Sequence, residues 1–123
     1  MSNIETYTSG LLAIDVEENG SEITVTFRGK SADREPGIFI TPILTEVLQN
    51  GRKFSKSIIM EFKELEYMNS STITPIIKIL ENAKSGDGKI SITYSRSKKW
   101  QDLCFSALKI FATKDHRIEI TGN

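Results

Sequence analysis

A change of hydrophobic period between residues 57 and 83 restricts the possible folds more than any other feature of this sequence. Residues 57–62 (SIIMEF) are nearly all apolar, which is typical of a strand that is central in a sheet or covered on both faces. Shortly afterwards, apolar residues recur at helical spacing, namely Ile73, Ile76, Ile77, Leu80 and Ala83. A buried strand that leads into an amphipathic helix predicts an α/β fold with parallel strands and right-handed crossovers.

Further strand patterns elsewhere in the chain extend this alternation of strands and helices. Apolar and polar residues alternate, as in half-buried strands, at residues 11–16, 22–28, 89–94 and 117–121. Asn19-Gly20 separates the first two segments and favours a tight turn with positive φ, so we expect a hairpin there. This hairpin would add an antiparallel part to an otherwise parallel sheet.

Two further helices are predicted on either side of the central block. The first would be capped by Thr41, with Pro42 in the first helical position, and would end at Asn50-Gly51. Its buried face would consist of Ile40, Ile43, Leu44, Val47 and Leu48. The apolar face of the third helix would consist of Trp100, Leu103, Cys104, Ala107, Leu108 and Phe111. Trp100 could fold back on the core or anchor a partner.

The predicted order of elements is therefore β-β-α-β-α-β-α-β. This order fits one domain over residues 1–123, an α/β fold with a small mixed sheet and helices mainly on one face. The loop after the second strand, which contains Asp33 and Arg34, would open at the same edge of the sheet as the start of the second helix. In folds of this kind, function gathers at that edge.

Composition excludes several classes of function. Sixteen basic residues balance sixteen acidic ones, so no net charge directs the chain to nucleic acid or to an anionic membrane. With Cys104 and His116 as the single cysteine and the single histidine, neither a disulfide within the chain nor a Cys/His metal cluster can form. No nucleophile and base can be paired from the sequence. We therefore expect a non-enzymatic protein with no metal or cofactor.

The N-terminal segment and the length of the apolar runs bear on location. Residues 1–20 include four acidic residues and no basic one, which does not fit a secretory signal. The longest apolar run is far shorter than the ~20 residues that a membrane-spanning helix needs. We therefore expect a cytoplasmic protein that does not enter a membrane.

The sequence Asn69-Ser70-Ser71-Thr72, at the start of the second helix, supports two hypotheses. Ser70 or Ser71 could simply cap the helix, which is worth about 1 kcal/mol. Alternatively, a serine there could accept a phosphate, because a helix N-terminus favours negative charge, and the modification would add about −1.5 to −2 charge to an exposed surface.

The first residue of this helix is also left open by the sequence. The helix could begin at Thr74 with Pro75 as its first residue, or earlier, near Ser71. Ile73 already belongs to the apolar face, which favours the early start.

Residues 58–84 (IIMEFKELEYMNSSTITPIIKILENAK) resemble the central block of STAS domains, the family of bacterial anti-sigma-factor antagonists. That block consists of a hydrophobic strand, a short acidic-apolar link and Asp-Ser-Ser-Gly at the start of a helix. The regulated serine of the family follows the Asp and corresponds to Ser70. This chain has Asn69 in place of Asp and Thr72 in place of Gly. Residues 28–42 and 98–108 resemble a divergent bacterial branch that tends to keep Asn-Ser-Ser.

The resemblance implies a switch operated by phosphorylation. A serine/threonine kinase with the histidine-kinase-type ATPase fold, which also sequesters a sigma factor, would modify Ser70, and a metal-dependent phosphatase would reverse the step. The implied partner-binding residues are Asn69, Ser71, Thr72, Asp33 and Arg34. Two alternatives remain: control of a cyclic-dinucleotide-synthesising enzyme, or binding of a small anion or nucleotide at the same helix N-terminus.

Overall fold

The computed structural model describes residues 3–123, which form one seven-stranded sheet and three α-helices. The strands are β1 (Asn3–Ser9), β2 (Leu12–Glu18), β3 (Glu22–Ser31), β4 (Ser57–Glu61), β5 (Leu65–Met68), β6 (Ile90–Tyr94) and β7 (Ile118–Gly122). The helices are α1 (Gly37–Lys53), α2 (Ile73–Ser85) and α3 (Lys99–Ala107), with 3₁₀ turns at Ser70–Thr72 and Leu108–Phe111. The α/β class, the mixed sheet and the opening hairpin of β2 and β3 are confirmed.

Two strands, β1 and β5, were not predicted. β1 is a mostly exposed edge strand held by antiparallel backbone pairing with β2, so it has no apolar alternation to detect. β5 has four residues, of which Leu65 alone is fully buried. Gly20 does not adopt the expected positive φ; instead, the Asn19 side chain accepts hydrogen bonds from the backbone N–H groups of Ser21 and Glu22.

The strand order is β1-β2-β3-β4-β6-β7, with antiparallel pairing up to β3 and parallel pairing from β3 onward. β5 pairs in parallel with the end of β3, after a register shift between Gly29 and Lys30. Gly29 has φ +85°, and a Cβ atom there would lie 2.1 Å from the carbonyl oxygen of Leu11. β3 therefore requires glycine at position 29, where it passes close to the Leu11 backbone.

One face of the sheet is buried beneath the helices. Burial alternates along β4, where Ile58 and Met60 are buried and Ile59 is half-buried. The run at residues 57–62 is thus central in the sheet, between β3 and β6, and is not covered on both faces. Four aromatic rings continue this core towards α3, with centroid separations of 4.5 Å for Phe27–Phe62, 4.6 Å for Phe62–Phe105 and 5.5 Å for Tyr94–Phe105.

The predicted face of α1 is buried, but the predicted ends of the helix are wrong. The helix begins at Gly37, so Pro42 lies inside it and removes one backbone hydrogen bond near the exposed start. It continues past Gly51 to Lys53. Gly51 is buried because β4 passes close by: a Cβ atom there would lie 3.0 Å from the Ile58 Cδ1 atom. Its role is packing rather than termination.

The predicted core face of α3 is only partly confirmed, since Leu108 is buried and Phe111 packs against the core while other members of the face do not. Gln101, Phe105 and Leu108 are buried, whereas Leu103 is 79% exposed and Trp100 and Cys104 are half-buried. Gln101 takes a core position because its amide group hydrogen-bonds to backbone groups of Phe62, Leu65 and Ser95. Part of the apolar stripe of α3 therefore lies outside the core.

Candidate functional site at the start of the second helix

The carboxyl ends of the parallel strands bring two loops together, as the sequence predicts. The loop after β3 (residues 32–36) contains Asp33 and Arg34, and the 3₁₀ turn after β5 contains Ser70. The backbone N–H of Asn69 donates to the carbonyl oxygen of Ser31 at 2.9 Å. The two segments are thus in direct contact at one edge of the sheet.

Asn69 caps the helix start. Its Oδ1 atom accepts a hydrogen bond from the backbone N–H of Thr72 at 3.1 Å, and its extended backbone (φ −81°, ψ 171°) is usual for a cap residue. The prediction that Ser70 or Ser71 caps the helix is therefore wrong. The amide oxygen of Asn69, one residue before Ser70, already accepts a hydrogen bond from the Thr72 N–H group, which would otherwise have no side-chain acceptor.

The early start of the second helix is confirmed. A 3₁₀ turn begins at Ser70 and passes into α2 at Ile73. Pro75 then lies in the first turn of α2, where a backbone N–H needs no partner within the helix. The 3₁₀ turn is what allows Pro75 to follow so closely after the cap.

The hydroxyl groups of Ser70 and Ser71 are accessible to solvent. Both residues are exposed, and neither hydroxyl makes a hydrogen bond with any residue between 3 and 123. A kinase could therefore reach either oxygen without first unfolding the turn.

Thr72 has a different environment from the two serines. It is fully buried, and its Oγ1 atom lies 2.8 Å from Asn69 Oδ1 and 2.7 Å from the hydroxyl of Ser31. Its side chain is not part of the exposed surface, so direct contact of Thr72 with a partner is not compatible with this geometry. The sequence alone could not show that Thr72 is buried, because threonine is common at both buried and exposed positions near a helix start.

Asn69, Asp33 and Arg34 lie at the rim of the site. The Asn69 amide nitrogen donates to the carbonyl oxygen of Asp33 at 2.7 Å, so both ends of this half-buried side chain are engaged within the protein. Asp33 and Arg34 are exposed. Asp33 also accepts a long hydrogen bond, 3.3 Å, from the hydroxyl of Ser9.

Ser70 lies on the wall of an apolar groove with a volume of about 330 Å³. The lining residues are Met68, Asn69, Ser70, Ile73, Trp100 and Cys104. Trp100 and Cys104 are one helical turn apart, and both pack partly against the core. We refer to this feature as the Trp100 groove. It exists because α3 turns Gln101 and Phe105, rather than its most apolar stripe, towards the sheet.

The Trp100 groove carries no charge. None of its lining residues is ionised, since burial raises the pKa of the Cys104 thiol and keeps it neutral. A phosphate on Ser70 would therefore introduce a dianion into a wall that is otherwise neutral.

Ser71 faces a different cavity. A space of about 160 Å³ between the starts of α1 and α2 is lined by polar and charged side chains, among them Ser71, Arg34, Glu35, Thr74 and Lys78. Ser70 and Ser71 are adjacent in sequence, yet one borders an apolar groove and the other a polar cavity with two basic side chains and one acidic one. The two hydroxyls are therefore not equivalent.

The described residues offer no metal centre and no membrane-spanning helix. Within residues 3–123, no group of three or more His, Cys, Asp or Glu side chains is placed to hold a metal ion. In the same range, no helix is both long enough and apolar enough to cross a bilayer.

Gln101 is the structural residue of this site that sequence reasoning missed. Its Nε2 atom donates to the carbonyl oxygens of Phe62 and Leu65 at 2.6 and 2.8 Å, and its Oε1 atom accepts from the N–H of Ser95 at 2.8 Å. The available signal was the position of Gln101, four residues before Phe105 and close to Leu108 on the helix. Helical periodicity nevertheless assigns a polar residue at such a position to the exposed face.

Comparison with known proteins adds no assignment. A scan against protein-family models finds no match, and a search of curated proteins finds none either. What the protein does has therefore to be inferred from the serine turn and the groove beside it.

Proposed function

We propose that this protein is a non-enzymatic signalling regulator of the anti-sigma-factor-antagonist type, which docks onto a partner protein and is switched by phosphorylation of Ser70. The observation that carries the proposal is the position of Ser70, exposed at the start of α2 and on the wall of the apolar Trp100 groove. The partner would contact this groove together with Ser71, Asp33 and Arg34.

The groove gives a physical reason for docking by the unmodified protein. An apolar side chain of leucine or phenylalanine size, once fully buried in it, contributes about 1.5–3 kcal/mol. Leu103, which is 79% exposed, lies one helical turn after Trp100 and offers further apolar surface on the same helix. Tryptophan and methionine, both present in the lining, are enriched where proteins bind one another.

Phosphorylation of Ser70 would make docking of the partner unfavourable. A phosphate on Ser70 would have to lose part of its hydration when a partner covers the groove, and desolvation of an unpaired charge costs several kcal/mol. That cost exceeds the gain from one buried apolar side chain. The free protein would tolerate the same phosphate, because it lies at the positive end of α2.

The resemblance to STAS domains suggests the partners. They would be a serine/threonine kinase that doubles as an anti-sigma factor, and a metal-dependent phosphatase that resets the switch, in the cytoplasm. The docking step would be the same if the output were instead a cyclic-dinucleotide-synthesising enzyme, since both outputs need a protein partner that recognises the unmodified surface.

The direct test incubates the protein with ATP and each candidate serine/threonine kinase of its host. We expect one phosphate per chain on Ser70, located by mass spectrometry of the intact protein and its peptides. Ser70→Ala should abolish incorporation, and Ser71→Ala is the matched control that should retain it. A phosphate that persists in Ser70→Ala would overturn the assignment of Ser70.

A second candidate function is suggested by the polar cavity beside Ser71. Its volume of about 160 Å³ is below the ~300 Å³ typical of small-molecule sites, so it would hold a phosphate-sized anion and not a nucleotide. Titration with inorganic phosphate, followed by NMR, tests this function. Saturable shifts at Arg34 and Lys78 that vanish in Arg34→Gln would favour the anion site over the phospho-switch.

A further inference from the structure

We propose that Ser31, Asn69 and Thr72 are positioning residues, which form a hydrogen-bonded latch that holds the loop of residues 32–36 against the serine turn. The latch would make Asp33, Arg34 and Ser70 one preformed surface. Its importance for partner docking rests on the proposed function, whereas the latch itself can be tested on the isolated protein.

The direction of each hydrogen bond in the latch follows from its geometry. Asn69 Oδ1 can only accept, so the Thr72 hydroxyl, 2.8 Å away, donates to it. Thr72 Oγ1 has then used its proton, and the Ser31 hydroxyl at 2.7 Å must be the donor to Thr72. The chain of donation therefore runs from Ser31 through Thr72 to Asn69.

Two further hydrogen bonds join Asn69 to the loop of residues 32–36 and to the end of β3. The Asn69 amide nitrogen donates to the carbonyl oxygen of Asp33 at 2.7 Å, and the Asn69 backbone N–H donates to the carbonyl oxygen of Ser31 at 2.9 Å. Ser31 and Thr72 are 2% and 0% exposed. Water therefore cannot replace a missing partner at either hydroxyl without rearrangement.

The latch explains why these particular residue types are needed. Aspartate at position 69 could cap the helix, but it has no proton to donate to Asp33 and would set a carboxylate oxygen against a carbonyl oxygen. Glycine at position 72 would leave the buried Ser31 hydroxyl without an acceptor. Asn69 and Thr72 are the two positions at which this chain departs from Asp-Ser-Ser-Gly, and here the two side chains are bonded to each other.

Limited trypsin digestion of the full-length protein under native conditions tests the latch. Cleavage after Arg34 reports release of the loop, and cleavage after Lys114, in the distant turn before β7, is an internal reference. We expect Asn69→Asp and Thr72→Val to raise the rate after Arg34 on the order of tenfold relative to the rate after Lys114, since each removes a buried hydrogen bond.

Two conservative variants distinguish the effect of losing the Thr72 hydroxyl group from the effect of altered packing. Thr72→Ser keeps the hydroxyl and loses a methyl group, so it should cleave after Arg34 at nearly the wild-type rate, unlike Thr72→Val. Thr74→Val, which alters an exposed threonine of the same helix, should have no effect. If Thr72→Val fails to fold, Ser31→Ala gives a milder test of the same bond.

Two outcomes would overturn the latch. One is an Arg34 rate that rises no more than the Lys114 rate in both Asn69→Asp and Thr72→Val. The other is Thr72→Ser behaving like Thr72→Val. Neither readout depends on a kinase, so loss of the phospho-switch in the Ser70 experiment would leave the latch standing, and the reverse also holds.

Discussion

At the scale of single residues, Gln101 shows how one polar side chain decides what its neighbours can do. Three hydrogen bonds tie it to the turn between β4 and β5 and to the end of β6. Because Gln101 is fully buried, α3 cannot rotate to bury its apolar stripe without breaking these three hydrogen bonds. Trp100 and Cys104 consequently stay beside Ser70.

Gln101→Leu should therefore destabilise the fold even though it makes the core more apolar. The Leu65 carbonyl oxygen and the Ser95 N–H group would each lose a hydrogen bond, while the Phe62 carbonyl oxygen would keep only its bond from the Leu65 N–H. Each buried group that stays unsatisfied costs about 1–3 kcal/mol. We expect urea unfolding to show a loss of at least about 2 kcal/mol. Leu103→Ala, on the exposed side of the same helix, is the matched control and should change stability by less than about 0.5 kcal/mol. Equal stabilities of the two variants would contradict this role of Gln101.

At the scale of elements, β3 sets the geometry of the site. It pairs with β4 along its first half and with β5 from Gly29 onward, so the chain that follows β5 arrives next to the end of β3. The contact between Ser31 and Asn69 is a direct result of this arrangement. A short strand that periodicity cannot detect thus places the serine turn.

Gly29→Ala should disrupt this arrangement. The new Cβ would meet the Leu11 carbonyl oxygen at 2.1 Å, in a backbone conformation that alanine rarely adopts, so we expect a loss of at least about 2 kcal/mol. Gly20→Ala, in the same hairpin, has no atom within 4 Å of its Cβ and should not destabilise the protein. Thermal and urea unfolding of the pair measure the difference. A Gly29→Ala variant as stable as Gly20→Ala would show that β3 does not need glycine at position 29.

At the scale of the whole molecule, exposed apolar residues occur at both ends of the parallel strands. Leu103 lies one helical turn after Trp100 in α3, the helix that follows the carboxyl end of β6, whereas Phe54 lies between the end of α1 and the start of β4. Substitution at the two places should therefore affect docking differently while sparing the fold.

If the proposed kinase docks at the Trp100 groove, Leu103→Glu should weaken docking of the unphosphorylated protein by at least about tenfold, since it places a charge beside an apolar interface. Phe54→Glu, at the other end of the parallel strands, should bind like the wild type. Isothermal titration calorimetry measures both affinities, and circular dichroism checks that both variants are folded. Equal affinities would place the docking surface away from the groove.

The sequence by itself determined the α/β class, the amphipathic helices, the order of most elements and the convergence of the Asp33 loop with the serine turn. These features follow from hydrophobic period and strand direction, which are local or topological properties. It also identified residues 69–72 as the start of a helix. It could not identify the capping residue, because Asn69, Ser70 and Ser71 are all suitable caps and only the path of the chain chooses among them.

Only the tertiary structure decided the rotation of α3, the burial of Thr72 and the pairing of β5. Each depends on hydrogen bonds between residues far apart in sequence, such as Gln101 with Phe62 and Ser31 with Thr72. A buried polar group must find such partners, and this requirement overrides helical periodicity when the two conflict. The groove beside Ser70 is the consequence, since the side chains that periodicity assigns to the core were displaced to its walls.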